Sequence, residues 1–483
     1  MKFKKKNGPQ ILGYILTNII ALMTLIFLML KDKAPESFYL LPLLPLSFIL
    51  FSGIAIRSFK YLFERLSITL IIGIYFIRLV ILPLLLALSD YYIGFGDYIT
   101  IISDQLVNRN MNPAIMLLVY ESFVVFLVLS IEKWPSIKSM KSKLEINSFS
   151  STTVFKLFLM LNIFILMLLL LIFPALKGYF SFFVATNNES DIIASSNLLT
   201  ARNNVPGVIY WIFVMIFQLL QLLLPIIAVK FIYKKIGYKN ELLGSLMSLI
   251  ILLLTLVVMT PEKVTSISIA LVIFMVLREI YPLINKFSSG FFLILLLSAT
   301  LGLVFKSGLY RNDGSIWIFL SQTANAYFAG PLNISAGLML NGNGLTSLFF
   351  DVLRSVPFGN FLFSNMGHTS PESFNYLIKG EGAQVTKIIP MISQGNYYLG
   401  FLLAPVLTLI SVKIAIIFER KSVHTKNFLN KYIYLYATVL FSLSPGLYNL
   451  NISLANYWFI LIYIIIVKLS FLKKVEVREQ NYE

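Results

Sequence analysis

The residues able to do chemistry are few, and most of them fall in one stretch, Lys306 to Ile389. His368 is one of two histidines in the chain, and the other, His424, sits in a basic segment. An imidazole titrates near neutral pH and can take a proton from a hydroxyl. Glu372 and Glu381 are the acidic alternatives. Glu372 already has a use at a helix start, which leaves Glu381 as the cleaner second candidate for a base. Arg311 (in LYRNDGS) and Arg354 (in DVLRSVP) lie among apolar neighbours. An arginine in such a place suits an anion, because its planar fork gives two parallel hydrogen bonds to phosphate oxygens. Asp313 and Asp351, each close in sequence to one of these arginines, are the expected partners if the role is only an ion pair. Lys387 and Arg202 read as solvated charges, and Lys306 stands five residues before Arg311. Tyr310, Trp317, Tyr327, Tyr376, Tyr397 and Tyr398 can stack on sugar rings or anchor at an interface. No set of His, Cys, Asp and Glu has metal-ligand spacing, and there is no cysteine, so neither metal nor cofactor is expected. NGNG and KGEG lack the strand and lysine of a nucleotide-binding loop.

One further candidate lies elsewhere. Arg78 interrupts the apolar run IYFIRLVILP. An arginine inside a membrane span costs about 2.5–3.5 kcal/mol on insertion scales, so the fold must give it a partner. That partner is either an acid on another span or an anionic ligand, a phosphate or pyrophosphate, in a cavity.

The elements that must position these groups are apolar helices. Of 483 residues 58% are hydrophobic and 13% charged, against about 25% charged in an ordinary soluble domain. Runs of about 20 apolar residues recur, long enough to cross a bilayer. Twelve spans are predicted, at 10–30, 38–56, 66–88, 113–132, 154–174, 207–229, 242–259, 263–278, 288–306, 391–418, 430–445 and 453–469. With both termini inside, the inner segments hold more than twice the Lys and Arg of the outer ones, as the positive-inside rule requires. The net charge of +17 then reflects basic inner loops and gives no reason to expect nucleic acid. The chain reads as an all-α polytopic membrane protein forming one membrane domain, 1–483. Residues 10–306 carry nine spans, 307–390 a large extracytoplasmic loop, 391–469 the last three spans, and 470–483 a cytoplasmic tail.

Local signals predict structure within that loop. Ser370-Pro371-Glu372 is a helix start: a capping hydroxyl, proline in the first turn, and an acid near the positive end of the dipole. Gly380 ends that helix. A second helix starts at Thr346 or Ser347 and stops before Pro357. Leu348, Phe349, Val352 and Leu353 suit one face of it. Asp351 and Arg354 suit the other, so that it would lie along the membrane surface with its charges outward. Ser315 to Leu340 is apolar enough to dip into the membrane but is broken at Gly330-Pro331. Such a piece is tolerated only where protein or a wet cavity surrounds it.

Three stretches carry a resemblance: YFIRLVILP around Arg78, QTANAYFAGPLNISAG before the break, and SQGNYYLGFLLAPVL at the tenth span. Together with one long outer loop ahead of the last spans, they resemble the Wzy-type polymerases of bacterial O-antigen and capsular polysaccharides. An arginine-glycine spacing described for some members is absent around Arg202, Arg311 and Arg354. The resemblance implies the membrane glycosyltransferase (GT-C-like) fold of O-antigen ligases and polymerases. It also implies a metal-independent transfer of a growing glycan from undecaprenyl pyrophosphate to the non-reducing end of a lipid-linked repeat unit, outside the bacterial plasma membrane. Arg78, Arg311 and Arg354 would hold the pyrophosphate, with Tyr310, Tyr327 and Tyr397 on the substrate and His368 or Glu381 as base. The implied partners are the undecaprenyl-pyrophosphate-linked oligosaccharide, membrane lipid, and a chain-length regulator and flippase of the same pathway. The rival readings are a lipid-linked oligosaccharide flippase and a polysaccharide ligase.

Overall fold

The computed structural model describes residues 8–31, 34–93, 104–132, 153–179, 204–257, 263–284, 315–340, 344–363, 365–379 and 388–479. The ninth expected span, 288–306, lies outside these residues, as do Arg202, Lys306, Tyr310, Arg311, Asp313, Glu381 and Lys387.

Among the described residues the chain is helical throughout, with no strand. Long Leu-, Ile- and Phe-rich runs satisfy their backbone groups within the helix, which is what an apolar solvent demands. The helices are α1 Gly8–Leu30, α2 Leu43–Ile54, α3 Leu66–Leu88, α4 Asp104–Ile131, α5 Thr153–Ile172, α6 Gly207–Ile232, α7 Glu241–Val257 and α8 Lys263–Ile280. Shorter ones follow: α9 Ile316–Tyr327, α10 Pro331–Gly337, α11 Leu345–Arg354, α12 Gly359–Leu362, α13 Ser370–Lys379 and α14 Met391–Leu399. The last three are α15 Val406–His424, α16 Phe428–Leu447 and α17 Leu450–Glu479. Seven stretches are long and apolar enough to cross a membrane: Gln10–Leu30, Glu36–Ile54, Leu66–Leu88, Val107–Ile131, Phe155–Ile172, Gly207–Gly237 and Phe401–His424. The protein is a polytopic helical membrane protein.

The tenth expected span, 391–418, is two pieces. Hydropathy runs on across Gly400, but Gly400 takes φ +76° and separates α14 from the segment beginning at Phe401. Only Phe401–His424 has membrane length.

Contacts divide the chain into two compact units. The first comprises Met1–Ser136, Asp313–Arg420 and Ala437–Trp458. Its core joins Phe48, Ile71, Tyr75 and Phe126 of the early helices to Leu332 and Ile334 of α10, Phe374 of α13 and Ile392 of α14. The second comprises Ile137–Asn312, Lys421–Tyr436 and Phe459–Glu483. There Phe213 and Phe217 stack and pack with Leu169 and Leu176. The Tyr432 hydroxyl donates to Leu222 O at 3.0 Å, and Lys431 pairs with Glu279. Every described residue discussed as a candidate site belongs to the first unit.

Candidate functional site

Two clusters of buried polar groups stand out in the first unit. One is centred on Arg78. Its helix, α3, widens into a π turn at Ile77–Ile81, where Leu82 N–H reaches back five residues to Ile77 O. Pro83 follows directly, and its ring and missing N–H disrupt the regular ladder there. The Arg78 side chain is wholly buried and forms an ion pair with Glu121 of α4, Nη1 to Oε2 2.8 Å, with both side chains at 0% exposure. The other Glu121 oxygen, Oε1, accepts from Thr408 Oγ1 of α15 at 2.7 Å. The Tyr75 ring lies 5.4 Å from the guanidinium carbon.

Arg78 Nε donates to Ala329 O at 3.3 Å. Ala329 is in the break between α9 and α10, at φ +48°, a left-handed conformation that a side chain disfavours. Its neighbour Gly330 packs closely: an added Cβ would come within 2.0 Å of Asn325 Oδ1 and 2.8 Å of Leu82 Cδ1, and those side chains would have to shift. Helix α9 packs along Leu82–Leu88, the far end of α3, and α10 packs along α4. The Ser335 hydroxyl donates to Val107 O at 2.6 Å, at the start of α4's membrane-length stretch. Arg78 and Glu121 lie near the middle of their membrane-length stretches, and the break is tied to them through the Arg78 side chain. Of the two partners foreseen for Arg78, the acid on another span is the one present. Sequence reasoning overlooked Glu121, although an acid in the middle of an apolar run was a signal of the same kind as Arg78 itself.

The second cluster involves α11, α13, α14 and the start of α17. Ser347, Asp351 and Arg354 fall on one stripe of α11 at spacings of four and three. The Ser347 and Tyr397 hydroxyls are 3.2 Å apart. Asp351 is completely buried, accepting Ser370 N–H at 3.2 Å and the Tyr398 hydroxyl. Ser370 Oγ and Tyr398 Oη lie 2.7 Å apart. Gln394 Nε2 reaches Ser370 Oγ at 2.8 Å and Asn451 Oδ1 at 3.0 Å, while Gln394 Oε1 accepts Leu450 N–H at 2.6 Å. Arg354 does not pair with Asp351, as its sequence proximity suggested. It makes a two-pronged pair with Glu372, at 3.0 and 2.9 Å, and donates to Gly367 O at 2.6 Å.

Glu372 also ties the start of α13. Its Oε2 accepts Thr369 N–H at 2.7 Å, and Thr369 Oγ1 accepts Glu372 N–H at 3.3 Å. This is a capping box. The capping hydroxyl is therefore Thr369, and the expected cap Ser370 instead spends its hydroxyl on Tyr398 and Gln394. The sense of α11 is also reversed. Its charged stripe, expected outward, is buried, while Leu345, Phe349 and Val352 on the opposite stripe are exposed by 66%, 58% and 38%.

His368 stands at the edge of this cluster with its side chain 78% exposed and Nδ1 4.0 Å from Glu372 Oε2. Tyr327, on the last turn of α9, is 43% exposed. Tyr397 is half-buried and braces α14 against α11 with Leu348. The structure thus brings Arg354 and His368 together at Glu372, sets Tyr397 against Ser347 on the same α11 stripe, and holds Arg78 in a separate cluster. Gln394, Asn451 and Glu372 complete the frame. Gln394, within the SQGNYYLGFLLAPVL stretch, and Asn451 have no role readable from the sequence, where a polar side chain on an apolar helix is a weak signal. Among the described residues no group of His, Cys, Asp and Glu could hold a metal ion. No protein-family model, no curated protein and no solved structure matches the chain.

Proposed function

We propose that the chain is a polysaccharide polymerase, a membrane glycosyltransferase with twelve spans, a GT-C-like fold and both termini inside. It would extend a glycan carried on undecaprenyl pyrophosphate at the outer face of a bacterial plasma membrane. The observation that carries the reading is the construction of the 315–379 segment. It is a set of short helices locked by buried polar bonds, with one exposed histidine at its rim, where a transporter would need only a connecting loop. The α9–α10 pair supports a re-entrant piece, since its break is bonded to Arg78 within one membrane-length helix and α10 packs along another.

In this reading the acceptor hydroxyl oxygen attacks the anomeric carbon of the lipid-linked glycan. The bond from that carbon to the pyrophosphate oxygen breaks, and the pyrophosphate departs on its polyprenyl chain. His368 takes the acceptor proton, with Glu381 as the alternative base. Pre-placed cations stabilise the departing charge. Arg78 and Arg354 each already hold a carboxylate, so they act by positioning the break and the loop, and Arg311 is the cation assigned to the pyrophosphate. Tyr310 and Tyr327 provide faces for sugar rings.

Reconstitution into vesicles with a lipid-linked repeat unit tests this. A ladder of lengthening products is expected, lost in His368→Ala and in Arg311→Ala. Transbilayer movement of the repeat unit without elongation would identify a flippase instead. Single transfer to an acceptor lipid would identify a ligase.

A further inference from the structure

Helix α11 is built inside out relative to a helix on a water-soluble protein. Its Ser347–Asp351–Arg354 stripe is fixed to Tyr397, Tyr398, Ser370 and Glu372. With those bonds made, the helix cannot roll, and Leu345, Phe349 and Val352 are held outward as a continuous stripe at spacings of four and three. The place of this stripe can be read from its neighbours. Gly344, immediately before α11, lies against Tyr398 O, where an added Cβ would sit 3.3 Å away. Four residues beyond Tyr398, Leu402 O accepts the Tyr120 hydroxyl at 2.9 Å, and the Phe401 ring stacks on Tyr120. Tyr120 lies near the middle of the membrane-length stretch Val107–Ile131. Four residues reach at most about 14 Å, so the start of α11 lies beside the segment that opens the next membrane-length stretch. Phe401, Leu402 and Leu403, which open the next membrane-length stretch, are themselves outward, exposed by 52%, 76% and 48%.

We infer that the Leu345–Phe349–Val352 face is a lipid-contact surface, seated against acyl chains of the bilayer and continuous with the outward residues Phe401 to Leu403. A helix lying on the headgroups would keep its charged stripe in water. Here that stripe is consumed inside the protein, and the outward side carries no charged group. The inference holds whether the protein elongates, moves or ligates its substrate, so its test is separate from the vesicle assay above.

The chain has no cysteine, so Leu345→Cys, Phe349→Cys and Val352→Cys each carry a single nitroxide in the full-length protein. Leu16→Cys, on the outward side of α1, serves as the lipid reference; Leu16 is 54% exposed on a membrane-length helix. Each variant is placed in vesicles of phosphatidylethanolamine and phosphatidylglycerol, and collision rates with dissolved oxygen and with a water-soluble nickel chelate are measured. Oxygen collisions exceeding chelate collisions at Leu345 and Phe349, as at Leu16, are the expected result. Chelate collisions dominating at both positions would overturn the inference. So would shielding from both relaxants with dipolar broadening between labels, the mark of a second copy covering the face. Labels at three positions keep the outcome readable if one variant fails to fold.

Discussion

Two arginine–carboxylate pairs organise the first unit under opposite conditions. Arg78 and Glu121 are both fully buried and meet through one 2.8 Å contact, with their remaining bonds going to Ala329 O and Thr408. Arg354 and Glu372 meet through two parallel bonds, and Glu372 keeps 32% of its side chain exposed. The first pair derives its importance from what its loss would leave behind. Two charges in an apolar interior roughly balance desolvation against attraction, but one charge alone is strongly unfavourable. The second pair is a matter of geometry. Its fork fixes the turn at Gly367 and the first turn of α13, and partial hydration softens the effect of losing either charge. One pair therefore joins membrane-length helices to the break, and the other shapes the rim from which His368 projects.

This contrast is open to attack, beginning with its largest expected effect. Glu121→Ala should destabilise the protein by about 3–5 kcal/mol by leaving Arg78 charged and alone, measured as the loss of folded protein on heating in detergent. The double variant Arg78→Met with Glu121→Leu should recover most of that loss, because no uncompensated charge remains. A double variant as unstable as the single one would show that shape, and not charge, governs the site. Next in size, Asp351→Asn should cost about 1–3 kcal/mol, since it weakens acceptance of Ser370 N–H and of the Tyr398 hydroxyl within a buried network. Thr369→Ala removes one half of the capping box and should cost about 1 kcal/mol, seen in the same melting measurement. The smallest effect on stability belongs to His368→Ala, which should change it by less than about 0.5 kcal/mol because the side chain faces solvent. The same variant should slow elongation by roughly 10²–10⁴-fold if His368 is the base. Unchanged elongation rates would remove His368 from the mechanism and leave the rim without its assigned base.

Much of the architecture was legible because it follows from local rules. The stretch 66–88 is read from hydropathy to the residue, and the Gly330-Pro331 break from its breaker pair. The start of α13 was visible from Pro371 and Glu372, although the cap proved to be one residue earlier, at Thr369. What was illegible depends on distant partners. Glu121 disappears in an apolar window that averages one acid away, and its importance comes from Arg78 on another helix. The α11 stripe could be seen to have two faces, but not which one turned inward. Tyr398, Ser370 and Glu372, which claim its charges, are far along the chain. In the tenth span composition carried straight across Gly400, and only the backbone angle there separates α14 from Phe401.

The distance along the chain between Arg78 and its carbonyl partner sets an order of events during synthesis. Ala329 follows Arg78 by 251 residues, a wait of roughly 12–50 s at ordinary ribosomal speeds. Glu121 arrives with the very next membrane-length helix. A newly made arginine therefore finds its counter-charge almost at once and can remain in the membrane while the rest of the chain is still being translated. The early helices form the charge pair, and the α9–α10 break and Thr408 are fitted to it late.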